Sequence, residues 1–263
     1  MAIPKKIHYC WFSGNEKPKL AKKCIQSWKK RCPDYEIIEW NEGNYDIAAA
    51  PLYVRQAYEA KKWAFVTDYA RLDLLYRFGG FYFDTDVELR KSLNMFLNES
   101  SVMGIEKSTR CIMVNTGVGI GAEPGFPLIK EMMEDYLEIP FVLEDGSYDI
   151  TTCTVRNTAV LARHGYNEKD VMQTVAGARI LPSEYFSPIE MESGRRVITK
   201  NTVSVHHYSL SWTTKEKQDA RKKWLRKSRR LNAIYEIKTF PNRVLKRMIG
   251  DEKYAALKKK AGK

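Results

Sequence analysis

The chain has 263 residues, which suits one large domain or two small ones and leaves room for a substantial core. Hydrophobic residues make up 44% and charged residues 29%, an ordinary soluble-globular balance, and no run approaches the ~20 apolar residues of a membrane span. The net charge of +12 is uneven: residues 213–263 hold 18 of the 44 Lys and Arg but 5 of the 32 Asp and Glu, so residues 1–212 are close to neutral.

The chain begins "KKIHYCWF" (5–12), a short strand, then a breaker loop with Gly14, Asn15 and Pro18. Leu20, Cys24, Ile25 and Trp28 repeat at helical spacing over 20–32, and Pro33-Asp34 stop that helix before the strand "YEIIEWN" (35–41). A long helix is predicted over 54–80, closed by Gly79-Gly80. Strands follow over 102–106 and 112–123, helices over 127–138 and 157–165, and a last strand over 202–212. This alternation predicts one α/β domain over 1–212, with the composition shift at Thr213 as its boundary. The N-terminus has no charged-then-apolar leader pattern, so the expected location is the cytoplasm. Cys10, Cys24, Cys32, Cys111 and Cys153 form no CxxC pair and are expected as small core residues.

The stretch "GGFYFDTDVE" (79–88) runs an apolar strand straight into Asp84 and Asp86. In extended chain both side chains face one way, roughly 7 Å apart, and two like charges there resist burial. A hard divalent cation compensates them, because carboxylate oxygens suit Mg²⁺ or Mn²⁺. The plain alternative is a pair of exposed acids capping the next loop, but ligands gather at the carboxyl ends of strands in α/β sheets.

The blocks "IPKKIHYCWF" (3–12), "AFVTDYARLDLLYRFGGFYFDTDVE" (64–88), "NTGVGIGA" (115–122) and "SVHHYSLSW" (204–212) resemble the bacterial glycosyltransferases of family 32, the "sugar-binding region containing DXD" group. The resemblance implies a GT-A type nucleotide-sugar-binding mixed sheet flanked by helices. It further implies a divalent metal, Mn²⁺ or Mg²⁺, and retaining transfer of a hexose from a nucleotide-diphosphate sugar. UDP-galactose or UDP-glucose is expected ahead of GDP-mannose. The implied acceptor is a glycan, lipid-linked, in capsule or other surface polysaccharide synthesis.

Carried onto this sequence, the resemblance makes Asp86 a direct metal ligand and gives Asp84 to the metal or its waters and to the donor ribose. Asp68 and Arg71, three apart on one helix face, are placed near donor sugar and ribose, with Asp73 ranked behind Asp68. Trp11 stacks on the base and Tyr82, on the strand face of Asp84, touches the donor. Asn115 holds sugar hydroxyls beside Gly117. His207 completes the metal shell, with His206 as the fallback. Trp212 contacts diphosphate or base, and Ser209 and Ser211 are phosphate contacts. His8 and His164 are assigned to packing.

The segment "TTKE" (213–216) reads as a capping box opening a basic amphipathic helix with Trp224, Leu225, Leu231, Ile234 and Tyr235 towards one side. Such a tail suits an anionic membrane surface on the cytoplasmic face, and docking on the domain competes with that reading. No nucleic-acid partner is expected, although a basic-tail nucleic-acid binder is one alternative function. The other is a haloacid-dehalogenase-type phosphatase with Asp84 as nucleophile, but the acidic pair follows a β-α-β unit and a long helix, an unusual place for that motif.

Overall fold

The computed structural model describes residues 2–108, 111–209, 213, 215–221, 223–226 and 250. Two units are separable: Met1–Glu192 with Arg196–Trp212, and Ser193–Arg195 with Thr213–Lys263. In the second, residues 215–221 and 223–226 are helical. Among the described residues no helix is long and apolar enough to cross a membrane.

The first unit opens with strand β1 (Lys6–Cys10), helix α1 (Lys19–Arg31) and strand β2 (Glu36–Trp40), and β1 and β2 pair in parallel. Ala21, Cys24, Ile25 and Trp28 bury the inner stripe of α1, and Lys29, Lys30 and Arg31 sit in its last turn, where cations offset the exposed carbonyls. The Trp28 indole donates to the Val87 carbonyl at 2.8 Å, which pins α1 to the chain just after the DxD motif.

The helix expected over 54–80 is two helices, α2 (Leu52–Glu59) and α3 (Trp63–Phe78). Lys61 adopts a left-handed conformation, φ 57°, with its N–H on the Tyr58 carbonyl and the Lys62 N–H on the Ala57 carbonyl. That is a Schellman stop made without glycine, so composition gave no warning of it. Helix α3 is buried on most of its circumference, Asp68 and Arg71 included. It ends at Gly79, φ 62°, where a Cβ would come within 2.7 Å of Pro124. The His8 imidazole, buried, donates from Nε2 to the Gly79 carbonyl at 2.8 Å and accepts the Trp40 indole N–H. Burial lowers its pKa to about 4, consistent with a neutral packing role.

Strands β3 (Gly80–Tyr82), β4 (Val87–Leu89), β5 (Ser101–Lys107), β6 (Ile112–Val114) and β7 (Ile120–Ala122) follow. Then come α4 (Pro127–Glu134), α5 (Cys153–Arg163), β8 (Gln173–Val175), β9 (Ala178–Leu181), α6 (Ser183–Phe186) and β10 (Ser204–His206). The main sheet runs β2-β1-β3-β7-β5-β9-β8, with β6 on β5. Pairs β1/β2, β1/β3 and β5/β9 are parallel and the others antiparallel, so this is the mixed α/β sheet flanked by helices expected from the sequence. Strands β4 and β10 form a separate antiparallel ribbon.

Alternation along β3 divides its side chains between two cores. Phe81 and Phe83 join the cluster under α1, with Ile7, Trp28 and Val102, whereas Tyr82 joins the cluster under α3, with Leu72, Met103 and Ile120. The single strand predicted over 112–123 is interrupted by a loop at 115–119, and of the strand predicted over 202–212 the described residues 202–209 include β10, three residues long. His164, assigned to packing, lies on the surface with Nε2 2.6 Å from Glu131.

Candidate active site

The chain leaves β3 at Tyr82 and does not stay extended through both aspartates. Thr85 and Asp86 form a turn, closed by the Val87 N–H on the Asp84 carbonyl at 3.0 Å. The expectation of two acids on one strand face is therefore corrected: a tight turn sends them to different partners, and no Gly, Pro or Asn marks it. The turn lies at the carboxyl end of β3, one strand in from β1.

Asp84 continues the parity of Tyr82 and faces α3. Its Oδ1 lies 3.4 Å from Arg71 Nη2 and accepts the Tyr82 hydroxyl at 3.2 Å. Arg71 is 2% exposed and sits with its guanidinium 5.0 Å from the Tyr82 ring centre. It also bonds Asp68 Oδ1 at 2.9 Å, its own helix at the Thr67 carbonyl, and Cys153 Sγ at 3.4 Å. The N–H of Cys153, first residue of α5, donates to Asp68 Oδ2 at 3.3 Å. Burial raises the Asp68 carboxyl above its ordinary value, Arg71 pulls it down, and Asp84 pushes it up again. One guanidinium thus serves two acids in a nearly dry setting.

Asp86 is compensated separately. It is 8% exposed, with Oδ1 3.3 Å from His206 Nε2 and Oδ2 accepting the Ser209 N–H at 2.7 Å. Its own carbonyl accepts the His207 N–H. Burial alone would raise this carboxyl, but His206 and the Ser209 hydrogen bonds outweigh it and hold it far below the usual range. Burial likewise works against a charged His206, yet Asp86 and then Glu106 raise the imidazole to about 10. The two acids of the turn therefore face different cations, Asp84 the Arg71 guanidinium that it shares with Asp68, and Asp86 the His206 imidazole.

Asn115, in the loop between β6 and β7, donates from Nδ2 to Glu106 Oε2 at 2.7 Å and accepts the Gly117 N–H on Oδ1 at 2.7 Å. The Gly117 carbonyl accepts the Asp84 N–H at 2.9 Å. A Cβ on Gly117 would stand 2.1 Å from Asp84 Oδ2 and 2.8 Å from Arg71 Nη1, so only glycine admits the acid–guanidinium pair here.

Asp68, Arg71, Tyr82, Asp84, Asp86, Asn115 and Ser209 thus form one linked neighbourhood. His207 does not join it: its imidazole is 2.9 Å from Glu88 Oε2, because adjacent residues on the β10–β4 ribbon point to opposite sides. The side chain beside Asp86 is His206. Asp73 pairs with Arg77 one turn on, at 3.2 Å, away from the other acids. Trp11 follows β1, bonds the Asn15 carbonyl through its indole, and has Lys17 Nζ 5.6 Å from a ring centre. Ser211 and Trp212 lie outside the described residues, as does most of the basic tail. Cys153 and Glu106 also belong to the linked neighbourhood; the sequence pointed to Cys153 as a small core residue and carried no signal for Glu106.

The donor set fits a hard cation of the kind expected. Asp84 keeps 34% of its side chain exposed and offers carboxylate oxygens, and Asp86 brings a second carboxylate from the same turn whose oxygens face His206 and the Ser209 N–H. Among the described residues no three His, Cys, Asp or Glu side chains form a ready cage. A bound Mn²⁺ or Mg²⁺ would draw its remaining ligands from phosphate and water, which is how these ions are commonly held.

Residues 18–103 match the family model of the glycosyltransferase sugar-binding region containing a DXD motif. That span includes Asp68, Arg71, Tyr82, Asp84 and Asp86, and it identifies the chain as a glycosyltransferase. The protein carries the DXD sugar-binding region expected from its sequence, and regions of this kind serve a divalent metal and a nucleotide-sugar donor. Among solved structures the chain is similar to PaToxG glycosyltransferase, at 20% identity over 62% of this chain and 69% of that one, TM-score 0.46. It is also similar to a glycosyltransferase involved in glycosylation of the major capsid of PBCV-1, at 13% identity over 82% and 98%, TM-score 0.44. A third is the galactosyltransferase LgtC in complex with donor and acceptor sugar analogues, at 14% identity over 85% and 95%, TM-score 0.43. No curated protein matches the chain.

Proposed function

We propose that the protein is a metal-dependent, retaining hexosyltransferase that takes UDP-galactose or UDP-glucose as donor and a glycan as acceptor, lipid-linked, in surface polysaccharide synthesis. The observation that carries the reading is the DxD turn at the carboxyl end of β3, inside the span that matches the family model, with part-exposed Asp84 against Arg71 and buried Asp86 against His206. Asp86, with Asp84 beside it, would hold the cation, and His206 steadies Asp86. When bound, the cation neutralises the charge that grows on the diphosphate leaving group.

The residues themselves orient and exclude. Arg71 and Asp68 form a buried pair that holds the part-exposed Asp84 carboxylate towards sugar and ribose hydroxyls. Tyr82 keeps the Asp84 carboxylate in one rotamer. Trp11 offers a flat apolar face to the base. Transfer forms a bond from the acceptor hydroxyl oxygen to the anomeric carbon as the bond from that carbon to the diphosphate breaks, and the hydroxyl proton leaves with the departing phosphate oxygen. The domain 1–212 carries this chemistry, and the basic segment 213–263 brings it to an anionic membrane surface where a lipid-linked acceptor resides.

The test is a thermal-shift screen of UDP-, GDP- and CMP-sugars with and without Mn²⁺, followed by sugar transfer with the best donor. At a hundredfold excess over Kd a specific ligand adds about 2.7 kcal/mol, roughly 5–10 °C for a domain of this size. Stabilisation by UDP-hexoses that requires Mn²⁺ and vanishes in Asp86→Ala supports the reading. A full metal-dependent shift in Asp86→Ala refutes the ligand assignment.

A further inference from the structure

Glu106 is a carboxylate near the end of β5 with 16% of its side chain exposed, and it stands between the two arms of the site. On one side its Oε2 accepts the Asn115 amide at 2.7 Å; on the other the same oxygen lies 3.7 Å from His206 Nδ1. That ring nitrogen is buried and has no hydrogen-bond partner among the described residues, although His206 Nε2 is engaged with Asp86. An approach of about 1 Å would turn the Glu106–His206 contact into a hydrogen bond. The connections continue to both acids of the turn. From Asn115 the path runs through the Gly117 N–H and carbonyl to the Asp84 N–H. From His206 it runs to Asp86 Oδ1.

A largely buried carboxylate is costly unless its lone pairs are used, and Glu106 accepts one hydrogen bond, from the Asn115 amide, while the same oxygen faces His206 Nδ1 at 3.7 Å; these are the two side chains that lead to Asp84 and Asp86. We propose that Glu106 is a positioning residue that fixes the spacing of the DxD acids, acting through His206 and Asn115; this rests on the nucleotide-sugar reading above. A carboxylate facing the far nitrogen of an imidazole favours one ring orientation, as outer-shell acids do for metal-ligating histidines; here the ring so oriented is the one that lies against Asp86. Neutral and truncating substitutions separate its two arms. Glu106→Gln retains an oxygen acceptor for the Asn115 amide and loses the charge opposite His206. Glu106→Ala loses both.

The experiment compares wild type, Glu106→Gln and Glu106→Ala in three measurements, all at a temperature well below each protein's melting midpoint. The first is Mn²⁺ affinity without donor, from the electron paramagnetic resonance signal of free Mn²⁺. The second is hydrolysis of the UDP-sugar without acceptor, and the third is transfer with acceptor. Loss of a group of this kind lowers metal affinity or turnover by about 10–100-fold. The expected result is a fall in that range for Glu106→Ala in Mn²⁺ affinity and kcat, an intermediate fall for Glu106→Gln, and an acceptor KM within twofold of wild type. Wild-type Mn²⁺ affinity and hydrolysis in both variants would overturn the proposal. So would a raised acceptor KM with unchanged hydrolysis, which would make Glu106 an acceptor contact. A lowered melting midpoint with unchanged affinity and kcat would reduce it to a structural residue. If wild type itself shows no metal-dependent nucleotide response, the functional reading fails before any variant is made, and the positioning role falls with it.

Discussion

Arg71→Met removes the one guanidinium shared by Asp68 and Asp84 while keeping much of the hydrophobic stem. Arg71 is 2% exposed and Asp68 7% exposed, so the acid left behind cannot turn to water without opening α3 from α5. Breaking a buried pair from one side costs about 3–5 kcal/mol. The Asp68 arm dominates, since Asp84 keeps 34% of its side chain exposed and recovers part of its hydration. For a domain of this size that corresponds to a fall in Tm of roughly 6–20 °C. The pH dependence has a definite sign. Burial already raises Asp68, and removing Arg71 takes away the main pull in the other direction, so the folded pKa rises further above the unfolded one. A group raised in this way favours the folded state below its unfolded pKa and loses that contribution as pH rises through the folded value. The deficit of Arg71→Met is therefore larger at pH 8 than at pH 5, and Asp68→Asn in the same chain recovers most of it. Differential scanning calorimetry of wild type, the single variant and the double variant at both pH values is the assay. An Arg71→Met protein that melts within 2 °C of wild type at pH 8, or whose deficit does not change with pH, would refute the reasoning.

Gly117→Ala places a methyl against Asp84 Oδ2 and Arg71 Nη1, so donor turnover should fall at least about tenfold while the melting midpoint moves by only a few degrees; steady-state kinetics beside a melting curve decides it. His206→Ala should abolish the Mn²⁺-dependent nucleotide shift, whereas His207→Ala, which loses a bond to Glu88, should keep most of it. Equal losses from the two substitutions would contradict the assignment of His206 to Asp86. Cys10, Cys24, Cys32 and Cys153 are buried, and burial raises the Cys10 and Cys24 thiols to about 12, so Ellman's reagent should titrate Cys111 promptly and the other four only after unfolding.

The helix before the DxD motif, the glycine stop and the apolar run into two acids all have local causes, which is why they could be read from the chain. Asp68 and Arg71 were legible for the same reason, since three residues on a helix set their common face. The turn at Thr85-Asp86 was not, because its cause is the β4–β10 ribbon, a pairing of segments more than a hundred residues apart. The choice between His206 and His207 depends on that register too: His206 opposes Val87, and a one-residue slip would exchange the two imidazoles. Strands β8 and β9 escaped notice because their hairpin turns at Ala176-Gly177, both at positive φ, where Asn or Asp would have announced it. Glu106 escaped because nothing in an isolated "GIEK" says that an acid faces inward.

Neutralisation of the turn happens in two instalments separated along the polypeptide. Asp84 meets Arg71 within a stretch of fourteen residues, whereas Asp86 waits for a histidine more than a hundred residues downstream. The chain up to β9 therefore contains Asp68, Arg71 and Asp84 but lacks the counter-charge of Asp86. The ribbon that delivers His206 acts as a clasp, so completion of the site is tied to near-completion of the domain.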